Sequence, residues 1–129
     1  MSAFAGKLSP ILLSVLRIVT GFLLIEHGTQ KWLLFPGGTT RATVQSLPGI
    51  AGLFELVGGA LIILGLFTRP VAFVLSGVMA SAYFIAHAPH GFWPLLNKGE
   101  LAVLYCFVFL YLAAAGGGAW SLDRLLRRV

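Results

Sequence analysis

Long apolar stretches, broken by short polar or glycine- and proline-rich segments, organise this chain from one end to the other. The first predicted helix runs from about Ile11 to Trp32; Ser9 and Pro10 lead into it, and Phe35, Pro36, Gly37 and Gly38 break it. After a polar loop to Pro48, a second helix is expected from about Gly49 to Phe67. Thr68, Arg69 and Pro70 then form a tight corner, with Pro70 suited to the first turn of a third helix that continues to about Ala88. Pro89 to Lys98 reads as a loop carrying Trp93 and Pro94. A fourth helix follows from about Gly99 to Ala115, ended by Gly116, Gly117 and Gly118. Beyond those glycines, Ala119 to Arg128 suits a short amphipathic helix on the membrane surface, with Ser121 as its N-cap and Trp120 opposite Leu125 as a hydrophobic staple.

The apolar runs match the roughly 20 residues that cross a bilayer, and composition says the same. Apolar residues make up 58% of 129 positions and charged residues 10%, against roughly a quarter charged in a soluble domain. The expectation is one all-α domain over residues 1–129, a transmembrane bundle of four helices in a bacterial-type inner membrane. The apolar stretch after Lys7 reads as the first span and not as a removed signal. Lys7, Arg69, Arg124, Arg127 and Arg128 lie on the side of the termini, and Lys31, Arg41 and Lys98 lie on the other. This bias places both termini in the cytoplasm.

The net charge of +5 is carried by basic residues scattered singly except at the tail, so lipid headgroups and not nucleic acid are the expected partner. The single cysteine, Cys106, cannot form an intrachain disulfide.

Three of the four acids, Glu26, Glu55 and Glu100, lie in or at the edge of spans, and the fourth is Asp123. An ionisable group in hydrocarbon costs about 2.5 to 3.5 kcal/mol on insertion scales, so it needs a partner or a wet cavity and marks a candidate site. With a helical rise of about 1.5 Å per residue, Glu26, His27 and Glu55 fall roughly 5 to 8 Å to the outer side of the midplane. Lys31, His87, Lys98 and Glu100 fall further out on the same side, and His90 lies in the loop beyond. Arg17 is the exception in the inner half.

Helical faces gather part of this set. Arg17, Thr20, Gly21, His27, Gly28 and Lys31 share one arc of span one, from which Glu26 points away. Ala51, Glu55 and Gly59 recur on span two, where small residues let a neighbouring helix approach the carboxylate. Ser76, Ala80, Tyr83 and His87 form a stripe on span three, and Glu100, Leu104, Phe107 and Tyr111 one on span four. These stripes are expected to line the interior, with Glu55 central to an outer-leaflet cavity and His27, Lys31, Tyr83, His87 and Glu100 around it. A structural reading runs beside the functional one, in which Glu55 only anchors helices by pairing with Arg17 or Lys31. Arg17, Glu26 and Asp123 are assigned structural polar roles. Nucleophile motifs, phosphate loops and paired cysteines are absent, and the three histidines lack metal spacing, so no metal site is expected.

Several motifs together resemble the DoxX family: Arg17 with Gly21, His27-Gly28 and Lys31; Glu55 with Gly58 and Gly59; and Gly65-Leu66-Phe67-Thr68-Arg69. The resemblance continues through Asn97-Lys98-Gly99-Glu100 and the segment from Gly116 that ends in Ser121-Leu122-Asp123. It departs at Lys98, where a glycine is usual, and at Gly117 and Ala119, where prolines are common. The resemblance implies a four-helix membrane protein related to the membrane subunit of a thiosulfate:quinone oxidoreductase. The expected role is therefore a membrane subunit, enzymatic only by that analogy, that binds a quinone or another small amphipathic molecule. It would work with a redox protein partner, and the glycine stripes suit a homo-oligomer. Two other functions fit the same residues: a small-solute carrier, and a scaffold or assembly protein without catalysis.

Overall fold

The computed structural model describes residues 2–38, 40–43 and 45–126, and every regular element among them is helical. Helix α1 spans Ser2–Leu33, α2 Leu47–Leu64 and α3 Thr68–Ala82. The third helix continues as a π-helical turn over Tyr83–His87 and a 3-10 turn over Ala88–His90. Short α4, Pro94–Asn97, precedes α5, Glu100–Ala115, and α6 is the single turn Leu122–Leu125.

The residues 3–33, 47–64 and 68–90 form helices long and apolar enough to cross a membrane, and Glu100–Ala115 is a shorter apolar helix. At about 1.5 Å per residue α5 covers roughly 24 Å, less than the hydrocarbon core of about 30 Å. The fourth predicted span is therefore an apolar helix of sub-membrane length.

Several predicted boundaries shift for local reasons. α1 begins well before Ile11 and carries Pro10 in its interior. The carbonyl of Pro10 accepts from the Ser14 hydroxyl one turn on at 3.3 Å and from the Ala119 amide at 3.2 Å, and the second bond ties the C-terminal segment to this turn. α2 starts earlier than expected, because the Ser46 hydroxyl accepts from the Gly49 amide and Pro48 fits the first turn. It ends before Phe67, because Gly65 turns left-handed at φ 69° and bonds back through its amide to the carbonyl of Ile62. The amphipathic tail helix is one turn only, capped by Ser121 as expected; Arg127 and Arg128 lie outside the described residues.

The helices pack chiefly as two pairs, α1 along α2 and α3 along α5, with α2 and α3 meeting beside the corner. The first pair closes on glycines. A methyl group added at Gly21 or Gly59 would stand about 3 Å from the other's carbonyl oxygen, and one added at Gly28 would stand 3.0 Å from the Gly52 carbonyl. Leu24 and Ile62 are fully buried in the core, together with Ala72, Leu75, Met79, Tyr105, Phe109 and Leu112. Between α3 and α5 the Ser76 hydroxyl donates to the Cys106 carbonyl at 2.8 Å. The outer surface is apolar, as lipid requires, with Phe73, Phe84 and Phe107 exposed.

The predicted stripe on span four is overturned. Leu104, Phe107 and Tyr111 face outward, while Tyr105, Phe109 and Leu112 are the buried face. α5 is apolar around its whole circumference, so periodicity carried no information about its buried side. Glu100 is exposed in its first turn, a position that suits a negative charge beside the unpaired amides of a helix start.

Candidate functional site: two polar layers

The polar groups of the spans collect at the two ends of the bundle. One layer is built on the corner between α2 and α3. A helix leaves its last carbonyls and its first amides without partners, so a tight corner between two helices presents both kinds together. The Arg17 guanidinium, itself fully buried, takes the carbonyls: Nε donates to Ile62 O at 2.8 Å and Nη2 to Ile63 O at 3.3 Å. It also reaches the C-terminal segment, donating to Gly117 O through Nη1 and to Trp120 O through Nη2 at 2.8 Å.

Asp123 takes the amides. Its two carboxylate oxygens accept from Phe67 N at 2.7 Å and Thr68 N at 2.8 Å, and its own amide donates to Gly65 O at 2.9 Å. Ser14 stitches the same segment to α1, donating to Gly117 O at 3.1 Å and accepting from Trp120 N at 2.9 Å. Glycine is needed at position 65 because a Cβ there would lie 2.5 Å from Ser121 Cβ. Arg17, Asp123 and the glycines are thus a clasp in which nearly every group is satisfied within the chain. Thr68 Oγ1 is the buried side-chain atom left without a partner among the described residues.

The other layer lies two to four turns along α1. Lys31 Nζ meets Glu55 Oε1 at 2.7 Å, with the Glu55 side chain 4% exposed and that of Lys31 28%. His27 lies within electrostatic reach of Glu55 and packs edge-on against the Tyr105 ring at 5.9 Å. Glu26 is half-buried and, like Glu55, falls within electrostatic reach of Tyr105. No hydrogen-bond partner of the His27 ring or of the Tyr105 hydroxyl is found among the described residues.

A third group forms where α3 widens. The π turn closes a bond from Ala88 N to Tyr83 O, adds a residue to the turn and rotates the residues beyond it. Tyr83 and His87 stack at 6.4 Å on each other and close on Asn97, whose side-chain amide donates to Tyr83 Oη at 3.1 Å and to Gly91 O at 2.9 Å. His87 Nδ1 meets Asn97 O at 3.1 Å. Asn97 Oδ1 accepts from Gly99 N, so this residue organises the whole loop into α5.

The six residues expected around one cavity therefore divide. Lys31 and Glu55 are paired with His27 beside them, Tyr83 and His87 form a separate cluster with Asn97, and Glu100 stands exposed. Tyr105 and Asn97 were not among the residues expected there. No periodic signal marked Tyr105 in a uniformly apolar helix, whereas Asn97 stood in the Asn-x-Gly-Glu run without an assigned role.

A DoxX family model matches residues 12–88, more than half of the chain. The chain belongs to the DoxX family. It is 48% identical over 123 residues to an uncharacterized protein of Haemophilus influenzae, covering 91% of this chain and 92% of that one. The Escherichia coli relative named Inner membrane protein YqjF is 30% identical over 128 residues, covering 95% and 97%. A more distant relative from Bacillus subtilis, 26% identical over 84% of this chain and 82% of its own length, carries the name Putative oxidoreductase CatD. No solved structure matches the chain. This DoxX protein is a multi-pass protein of the bacterial inner membrane, embedded in lipid.

Proposed function

We propose that this DoxX protein is the membrane subunit of an oxidoreductase system, binding a quinone or a similarly amphipathic molecule beside the Lys31–Glu55 pair. The observation that carries the reading is a buried carboxylate in ion-pair contact at 2.7 Å, next to a histidine and a tyrosine that keep unshared hydrogen-bonding groups. A quinone needs donors for its carbonyl oxygens and an apolar surface for its ring. The Tyr105 hydroxyl and the His27 ring supply the first, and the bundle interior supplies the second.

When bound, a quinone supplies the electron-carrying couple. Glu55 and His27 are placed to hold and pass the accompanying protons, with Lys31 as the counter-ion in contact with Glu55. The bound molecule would enter from lipid between helices. The name of the Bacillus subtilis relative supports the same class of reaction. A redox protein partner that donates the electrons belongs to the proposal. One domain over residues 1–129, associated as a homo-oligomer, would serve it.

Both termini and Arg69 are placed in the cytoplasm by the basic-residue bias, which puts Lys31 and Glu55 in the outer half. Impermeant labelling of single cysteines, in a background with Cys106 replaced, should reach position 93 from outside only; labelling from the cytoplasm alone reverses the orientation.

Organic extraction of the purified protein tests the ligand. Quinone is expected in roughly stoichiometric amount, and Glu55→Gln, which keeps size and a hydrogen bond to Lys31, should lose it while melting close to the parent. A variant that melts much earlier yet keeps its quinone would leave Glu55 as a helix anchor and remove the cavity.

A further inference from the structure

We propose a binding site for one anionic phospholipid at the end of the bundle that carries the Arg17–Asp123 clasp, with its phosphodiester between Arg69 and Arg124 and an acyl chain along α1. A groove of about 360 Å³ opens there, lined by both arginines, the Gly116–Gly118 backbone and Ser9. A second groove of about 560 Å³ shares Ser9 and Leu13 with it and continues between α1 and α5 past Leu12, Leu16 and Tyr111. Its walls are apolar. The two grooves join a cationic mouth to a hydrocarbon channel, the chemistry of a lipid with a charged head.

Charge complementarity selects the headgroup. The Arg69 guanidinium lies over Gly116, where an added methyl would come within 3.2 Å of Nη2, and its one side-chain bond among the described residues is from Nη1 to Ala114 O. Its remaining donors face the groove without partners among the described residues. The Arg124 side chain is exposed and likewise makes no bond within them. Asp123 also lines the mouth, but both of its oxygens are taken by Phe67 N and Thr68 N, and the Arg17 charge lies within reach. The groove therefore presents two cations with an internally spent anion. A phosphodiester fits the arginine geometry in a way that a neutral headgroup does not.

The inference is independent of the quinone reading. It is tested by delipidating the protein in detergent, returning it to bilayer discs of phosphatidylcholine containing phosphatidylglycerol, and measuring bound lipid per chain by native mass spectrometry. The parent should retain phosphatidylglycerol in preference to phosphatidylcholine. Because a cation near a lipid headgroup is worth about 1 kcal/mol, Arg124→Gln should weaken that retention about fivefold. Ser9→Trp, an exposed substitution where the grooves meet, should weaken retention while leaving both arginines and the melting temperature in place. Inorganic phosphate added in excess should not displace the lipid, because it cannot use the acyl channel. Equal retention of the two lipids, retention unchanged in both variants, or displacement by free phosphate would overturn the site.

Discussion

Lys31 of α1 and Glu55 of α2 meet at 2.7 Å, but the carboxylate is nearly inaccessible and the ammonium is about a quarter exposed. The pair is therefore asymmetric. Removing Lys31 strands a buried charge, whereas removing Glu55 leaves an ammonium that can turn its flexible stem toward water. Lys31→Met should lower stability by about 3 kcal/mol, the low end of the range for a broken buried pair because one member is part-exposed. Glu55→Leu should cost less, and the double variant less than Lys31→Met alone. Denaturant unfolding in detergent measures all three, and equal losses from the two single changes would contradict the asymmetry.

The clasp at the other end predicts sharp sensitivity to conservative change. Arg17→Lys keeps the charge but cannot reach the carbonyls of Ile62, Ile63, Gly117 and Trp120 with one ammonium. Asp123→Asn turns one acceptor of an α3 amide into a donor, at a cost of roughly 1 to 3 kcal/mol. Melting temperature should fall for both, with Arg17→Lys the worse. Proteolysis should then release the segment after Gly116 first, and a segment that stays protected in Arg17→Lys would show that the clasp is not what holds it.

On the α1–α2 seam, Gly59→Leu should separate the helices, because a Cβ at that position already comes within 2.6 Å of Ile25 Cγ1. Leu61 lines an apolar groove between α2 and α3 that opens to lipid, so Leu61→Ala should cost little. A thermal scan of the two proteins in the same detergent compares them directly, and similar losses would place the seam elsewhere.

The reversed face of α5 gives a direct contrast. Phe109 is fully buried and Phe107 is 63% exposed. Phe109→Ala should destabilise by about 3 kcal/mol, as cavity-forming aromatic truncations do, while Phe107→Ala should be close to neutral. The opposite order in chemical unfolding would restore the stripe through Glu100, Leu104, Phe107 and Tyr111.

Lipid as solvent, the helical class, Pro70 in the first turn of α3, the cap at Ser121 and the inward arc of span one were legible in the chain itself. The corner expected at Thr68–Pro70 instead lies earlier, over residues 65–67, because Gly65 turns left-handed and Thr68 already opens α3. Each legible feature depends on local rules: apolar run length, breaker residues, cap chemistry, and the contrast between polar and apolar positions on one helix. Where that contrast was present, the face came out correctly, and Arg17, Thr20, Gly21 and Gly28 are buried as their arc required. Where a helix is apolar all round, as in α5, no local rule selects a side, and only the packing of Tyr105, Phe109 and Leu112 against α3 decided it.

The division of the polar set also belonged to tertiary structure. Depth along each helix put His27, Glu55, His87 and Glu100 in one layer, but depth says nothing about rotation. The π turn at Tyr83–His87 turned that pair toward Asn97, and the start of α5 left Glu100 outside. Which cation would meet Glu55 was equally open, because Arg17 and Lys31 lie on the same arc of α1. The choice fell to Lys31 because the carbonyls left over at the end of α2, together with those of the C-terminal segment, had already claimed Arg17. Those carbonyls come together only when residues nearly the full length of the chain apart meet at one corner, a contact that no local pattern encodes.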